Sequence, residues 1–112
     1  MGQLIVGSVV SMPFPFSDLS AIKHRPVVAL ADAGHGDRVF SQVTSNAYAD
    51  ADAVTLTQHE FASGGLQLVS YVRPAKLFTG NQKSVLRILG QLRPEVTKLV
   101  VTGVIRLLID GK

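Results

Sequence analysis

The stretch KHRPVVAL, residues 23–30, decides how this chain folds. Residues 26–31 are apolar throughout, the pattern of a strand buried on both faces. Pro26 fixes its own φ and steers Arg25 away from helix toward extended backbone. Three potentially basic side chains, Lys23, His24 and Arg25, therefore stand at the mouth of a strand. If the strand has begun there, Lys23 and Arg25 share one face and His24 points to the other.

Outward from this stretch the chain keeps reading as short β-segments. Residues 6–13 form a strand pattern, and residues 14–20 read as a loop around Pro15, a residue disfavoured within a central strand. The Gly- and Asp-rich residues 32–37 read as a turn. Residues 38–44 alternate, with Val39, Ser41 and Val43 on one face and Phe40, Gln42 and Thr44 on the other. Residues 46–52 are a polar connection, and residues 53–57 a half-exposed strand. Gly64-Gly65 signals a turn. Residues 66–72 read as a strand ended by Arg73-Pro74, residues 76–79 as a short strand or tight helical turn, and residues 85–90 as the last strand.

The end of the chain changes period. Pro94 suits a first helical position, where its missing N–H has no partner to lose. Glu95 complements the helix dipole, whereas Arg93 at the N-cap lacks the short side-chain acceptor that Ser or Asp supplies. Val96, Leu99, Val100, Gly103, Val104, Leu107 and Leu108 make one apolar stripe, and Val101, Ile105 and Ile109 widen it past a single face. A helix this apolar has surface to spare for a second subunit. Many short strands and one closing helix predict a mainly β (α+β) domain: a strongly curved sheet or small barrel.

Composition narrows the function classes. The chain has 112 residues, no cysteine and no tryptophan, so disulfides and thiolate metal sites are ruled out. It shows no signal peptide and no apolar run of membrane-spanning length, which points to a soluble cytoplasmic protein away from the membrane. A net charge of +3 is a mild bias toward polyanions. Gln58-His59-Glu60 lacks the second histidine of a zinc helix, and Asp50 with Asp52 supplies too few oxygens for a calcium loop. No metal site is expected.

Several stretches, in order, resemble the MazF/PemK toxins of bacterial toxin–antitoxin systems. These are Gly7-Ser8-Val9-Val10 leading to Pro13-Phe14-Pro15-Phe16-Ser17-Asp18-Leu19, then His24-Arg25-Pro26-Val27-Val28-Ala29-Leu30, then Gln42-Val43-Thr44-Ser45. Ser70-Tyr71-Val72-Arg73-Pro74 with Lys76-Leu77 follows, then Ile88-Leu89-Gly90 and the closing helix. The resemblance covers nearly the whole chain, residues 1–112, as a single domain. It implies an SH3-like barrel with a C-terminal helix (CcdB/PemK-like), a symmetric homodimer, and a cognate antitoxin as partner. It also implies metal-independent, sequence-selective endoribonuclease activity on single-stranded RNA, with no cofactor.

The same resemblance assigns roles. Arg25 matches the family's catalytic arginine, and its permanently charged, planar guanidinium suits two phosphate oxygens. Thr44 matches a functional threonine or serine whose hydroxyl donates to a phosphate oxygen; spacing alone reads it as a hydroxyl capping a turn. Lys23, Ser45, Arg73 and Lys76 are RNA-contact candidates. His24 is able to act as a base but faces away, and His35 sits between glycines in a turn. Some members of the family carry an acid two residues after the arginine of the Arg73 region. Here that position is Ala75, so a mechanism using that carboxylate as base is closed to this chain. The competing expectation is a non-catalytic binding module of the same barrel, or a toxin that poisons a topoisomerase.

Overall fold

The computed structural model of the chain describes residues 4–13, 24–46 and 51–111. Seven strands and one helix occupy them: β1 (Ser8–Pro13), β2 (His24–Gly34), β3 (Asp37–Thr44), β4 (Val54–Leu56), β5 (Phe61–Gly64), β6 (Ser70–Asn81), β7 (Arg87–Leu92) and α1 (Pro94–Asp110). Single 3-10 turns at Gln58–Glu60 and Gln82–Ser84 link β4 to β5 and β6 to β7. All strands join one antiparallel sheet in the order β4-β6-β3-β2-β1-β7-β5.

That order forces curvature. β4 and β5 lie at opposite ends of the sheet, about 29 Å apart if seven strands lay flat at about 4.8 Å spacing. Phe61 follows Leu56 by only five residues, a reach of at most about 18 Å. The sheet must curl until its ends approach, which gives the small barrel expected from the sequence.

Apolar side chains sort to two sides of the curled sheet. Val9, Val28, Leu30, Val43, Leu56, Phe61, Val72 and Leu92 form the main core, and Val96 and Val100 of α1 seal it. A second cluster lies on the opposite face: Leu4, Val10, Met12, Val27, Ala29, Phe40 and Val85, with Phe78 packed against it. The alternation of β2 is visible here, with Val28 and Leu30 in one cluster and Val27 and Ala29 in the other.

β2 is longer than the apolar run predicts. It continues through Asp32 to Gly34, leaving a tight turn at His35 and Gly36. Gly34, His35 and Gly36 all have positive φ (88°, 58° and 83°), so glycines flank the one side chain held in this conformation among the described residues.

The largest departure concerns β6. The sequence reading stops a strand at Arg73-Pro74, but β6 runs unbroken to Asn81. Arg73 pairs with Gln42 and Leu77 pairs with Ser41, so residues 74–76 bulge without partners opposite. A proline is tolerated in a bulge because no ladder donor is needed there. The Ser41 hydroxyl donates to the Arg73 carbonyl at 2.7 Å and pins the bulge. The Pro74 ring is buried against α1, and Gly103 makes the approach possible: a Cβ there would lie 3.2 Å from Pro74 Cγ. β5 was not expected at all, since its four residues carry no readable alternation.

The helix begins at Pro94 as expected, and Arg93 makes no side-chain cap. Arg93 instead ties the helix start to the β4–β5 turn. Its Nε donates to the His59 carbonyl at 2.7 Å, and its backbone N–H donates to the Glu60 carbonyl at 3.0 Å. Leu99, Ile105, Leu108 and Ile109 stay exposed, the last at 77%. Among the described residues no helix is long and apolar enough to cross a membrane.

Candidate nucleic-acid interface

The second-cluster face is built in cross-strand rows. One row is wholly apolar: Ala29, Phe40 and Phe78 are register partners, and the two phenylalanine rings stack with centroids 5.5 Å apart. The next is mixed. Val10 pairs with Val27, Val27 with Gln42, and Gln42 with Arg73. Arg73 Nη1 donates to Gln42 Oε1 across a long 3.5 Å.

The third row is polar. Met12 pairs with Arg25 on one side, and Thr44 pairs with Tyr71, which pairs with Thr55, on the other. Carrying the Val28–Ser41 and Val27–Gln42 register two residues further sets Arg25 opposite Thr44. Adjacent strands lie about 4.8 Å apart, so Arg25 and Tyr71 flank Thr44 with backbones about 10 Å from each other. The face thus runs from packed aromatics to an exposed guanidinium within two rows.

The local chemistry of each group follows from this placement. Arg25 is exposed, while Met12 beside it and Val27 two residues along are buried, so its backbone is anchored and its head is solvated. The Thr44 hydroxyl accepts from the Asn46 backbone N–H at 3.1 Å. This is the turn-capping role, but it uses only a lone pair. The hydroxyl proton remains available for a ligand acceptor. Ser45 is exposed just beyond the end of β3, and Lys76 is exposed in the β6 bulge. Lys23 lies outside the described residues.

His24, at the start of β2, alternates to the side opposite Arg25. His35 is exposed at the turn tip and His59 is exposed in the β4–β5 turn. Ala75 is exposed in the bulge. The three rows contain no carboxylate and no imidazole. Among the described residues no three His, Asp or Glu side chains converge. Among the described residues, the carboxyl of Glu60, elsewhere in the fold, is held below its ordinary range. The Thr57 hydroxyl lowers it first, at 2.5 Å, and the Thr57 N–H second, at 2.6 Å.

Arg25, Thr44 and Arg73 therefore share one sheet face. Sequence reasoning quoted Gln42 and Tyr71 without giving them a role. Alternation already places Gln42 and Thr44 on one face of β3. Which β6 residues oppose them depends on the bulge, and no local pattern reports that.

No protein-family model matches the sequence, and no curated protein is a significant match to it. Solved structures do match. A mycobacterial endoribonuclease, solved in complex with its cognate antitoxin, is 16% identical with a TM-score of 0.68, over 96% of this chain and 95% of that one. MazF from Deinococcus radiodurans is 22% identical with a TM-score of 0.72, over 92% and 94%. The Mycobacterium tuberculosis toxin MazF-mt6 is 17% identical with a TM-score of 0.69, over 91% and 96%. The likeness spans nearly the full length on both sides, and the fold of this chain is that of the MazF toxins.

Proposed function

We propose that this chain, carrying the MazF toxin fold, is a metal-independent, sequence-selective endoribonuclease toxin of a toxin–antitoxin pair. The observation that carries the reading is that strand register and alternation put Arg25, Thr44 and Arg73 on one sheet face, with Arg25 exposed. The substrate is single-stranded RNA. In the reaction the 2′-oxygen attacks phosphorus and the bond to the 5′-oxygen breaks. One proton leaves the 2′-oxygen and one joins the 5′-oxygen, so no water is consumed. The products are a 2′,3′-cyclic phosphate and a 5′-hydroxyl.

Arg25 holds the non-bridging oxygens as negative charge builds on them, and Thr44 donates its hydroxyl to one of these oxygens. Preset donors of this kind stabilise a transition state without reorganising. A guanidinium that stays protonated is a poor base. With Ala75 in place of an acid, the 2′ proton passes to solvent hydroxide, and the departing 5′-oxygen takes its proton from water, which regenerates the hydroxide. Ser45, Arg73 and Lys76 contact flanking phosphates, as does Lys23. The antitoxin partner covers the same face, and the exposed apolar residues of α1 support a homodimer.

The purified protein is expected to cut single-stranded RNA in EDTA and leave 5′-hydroxyl ends. Cutting that appears only with Mg²⁺ contradicts the mechanism. The rate is expected to climb steadily with pH, because hydroxide takes the 2′ proton and the rows carry no carboxylate or imidazole to replace it. The absence of any carboxylate or imidazole from the rows favours one second reading, an RNA-binding module without catalysis. Tight RNA binding with intact RNA after long incubation selects it.

A further inference from the structure

Resting on that reading of the site, we infer that Tyr71 is the stacking platform for a nucleobase beside the scissile phosphate, and so selects unpaired RNA. Tyr71 pairs with Thr44 on one side and Thr55 on the other, so its ring follows directly after the phosphate-binding pair in the same row. Its chain neighbours Ser70 and Val72 are buried, whereas Tyr71 is half exposed. The other aromatic rings among the described residues are committed to packing. Phe40 and Phe61 are buried, and Phe78 stacks on Phe40. The Tyr71 hydroxyl makes no hydrogen bond among the described residues, and no buried polar atom there lacks a partner, so this group reaches solvent.

An aromatic face next to a phosphate site is the arrangement single-stranded nucleic acids use. Successive bases stack on rings while cations track the backbone. A base within a duplex is already stacked on its neighbours and cannot lie on Tyr71. The ring therefore contributes affinity that duplex RNA does not collect. Arg73, two residues along β6 on the same face, stands at the edge of the stacked base. Stacking itself tolerates any base, so Tyr71 sets strandedness and leaves sequence preference to such edge contacts.

The chain offers its own spectroscopic probe, having no tryptophan and two tyrosines, Tyr48 and Tyr71. Tyr48→Phe makes Tyr71 the sole emitter without altering position 71. Titration with a single-stranded 2′-O-methyl RNA decamer of mixed sequence, which cannot be cut by 2′-attack, should quench this emission saturably. The same sequence as a duplex should not. Tyr71→Phe should bind the decamer within about twofold of wild type, and Tyr71→Leu should bind about 5- to 150-fold more weakly, the range spanned by one base–aromatic stack. Decamer binding seen by anisotropy without tyrosine quenching overturns the inference, as does a folded Tyr71→Leu variant of wild-type affinity. A wild-type protein that neither binds nor cuts RNA overturns the proposed function itself, a different result from binding to which Tyr71 is silent.

Discussion

The two faces of β2, β3 and β6 are made by the same strands and end differently. On the α1 side, Val43 and Val72 pair in register, Val28 packs in the same cluster opposite Ser41, Leu56 extends the core, and the helix closes over them. On the other side, buried Phe40 stacks on half-buried Phe78, yet two rows further on stand Arg25, Thr44 and Tyr71. One face is core along its length, while the other is core at one end and chemistry at the other. The lesson is mechanical. The apolar half of the second face holds the strands in register, and the register holds the polar half.

The sharpest way to break that coupling is Phe40→Ala. Removing this buried ring should cost about 3–5 kcal/mol. A thermal melt should show it as a drop of well over 10 °C, and cleavage should fail with the fold. Arg25→Ala probes the other end of the same face. Its head is exposed, so the melt should stay near wild type while kcat/KM for RNA falls about 10²- to 10³-fold. If Arg25→Ala cuts RNA normally, the polar rows are not the site. Thr44→Val should lie between the two. It loses the donor, at about 10²-fold in rate, and also the Asn46 cap, at about 1 kcal/mol in stability. Thr44→Ser should restore both.

The smallest effect lies away from both faces. Glu60→Gln weakens the turn that joins β4 to β5 across the barrel seam. The Glu60 carboxylate is held below its usual range by Thr57, so its contribution is present above the unfolded carboxylate's pKa. That contribution disappears as pH falls through the lowered folded value. The stability gap between wild type and Glu60→Gln should therefore be small at neutral pH and close under acid. A gap that widens on acidification contradicts the assignment.

Much of the architecture was legible because local physics dominates it. The run 26–31 reads as buried strand, and β2 buries its residues 27–30 while leaving Ala31 exposed; Pro94 with the stripe behind it reads as helix, and α1 starts there. What stayed hidden depends on partners distant in sequence. Arg73-Pro74 reads as a strand terminator until Ser41 and Gly103 are known to accommodate the bulge. β5 exists because β7 offers it an edge, with Gly64 beside Gly90 so closely that a Cβ on Gly64 would lie 2.6 Å from Gly90 Cα. The site shows the same division. Arg25 and Thr44 stood out through family resemblance, since an arginine before a proline and a threonine at a strand end are common. Their alignment, and the arrival of Tyr71 beside them, follow from register that alternation within one strand cannot report.

The central claim is that Arg25 and Thr44 act on one phosphate, and a double-mutant cycle tests it most directly. Cleavage rates of wild type, Arg25→Ala, Thr44→Val and the double variant would be measured on one RNA in EDTA. If the two side chains share a phosphate, the double variant should lose at least about tenfold less than the product of the single losses. Losses that simply multiply would mean that the two groups work independently, and would contradict the account.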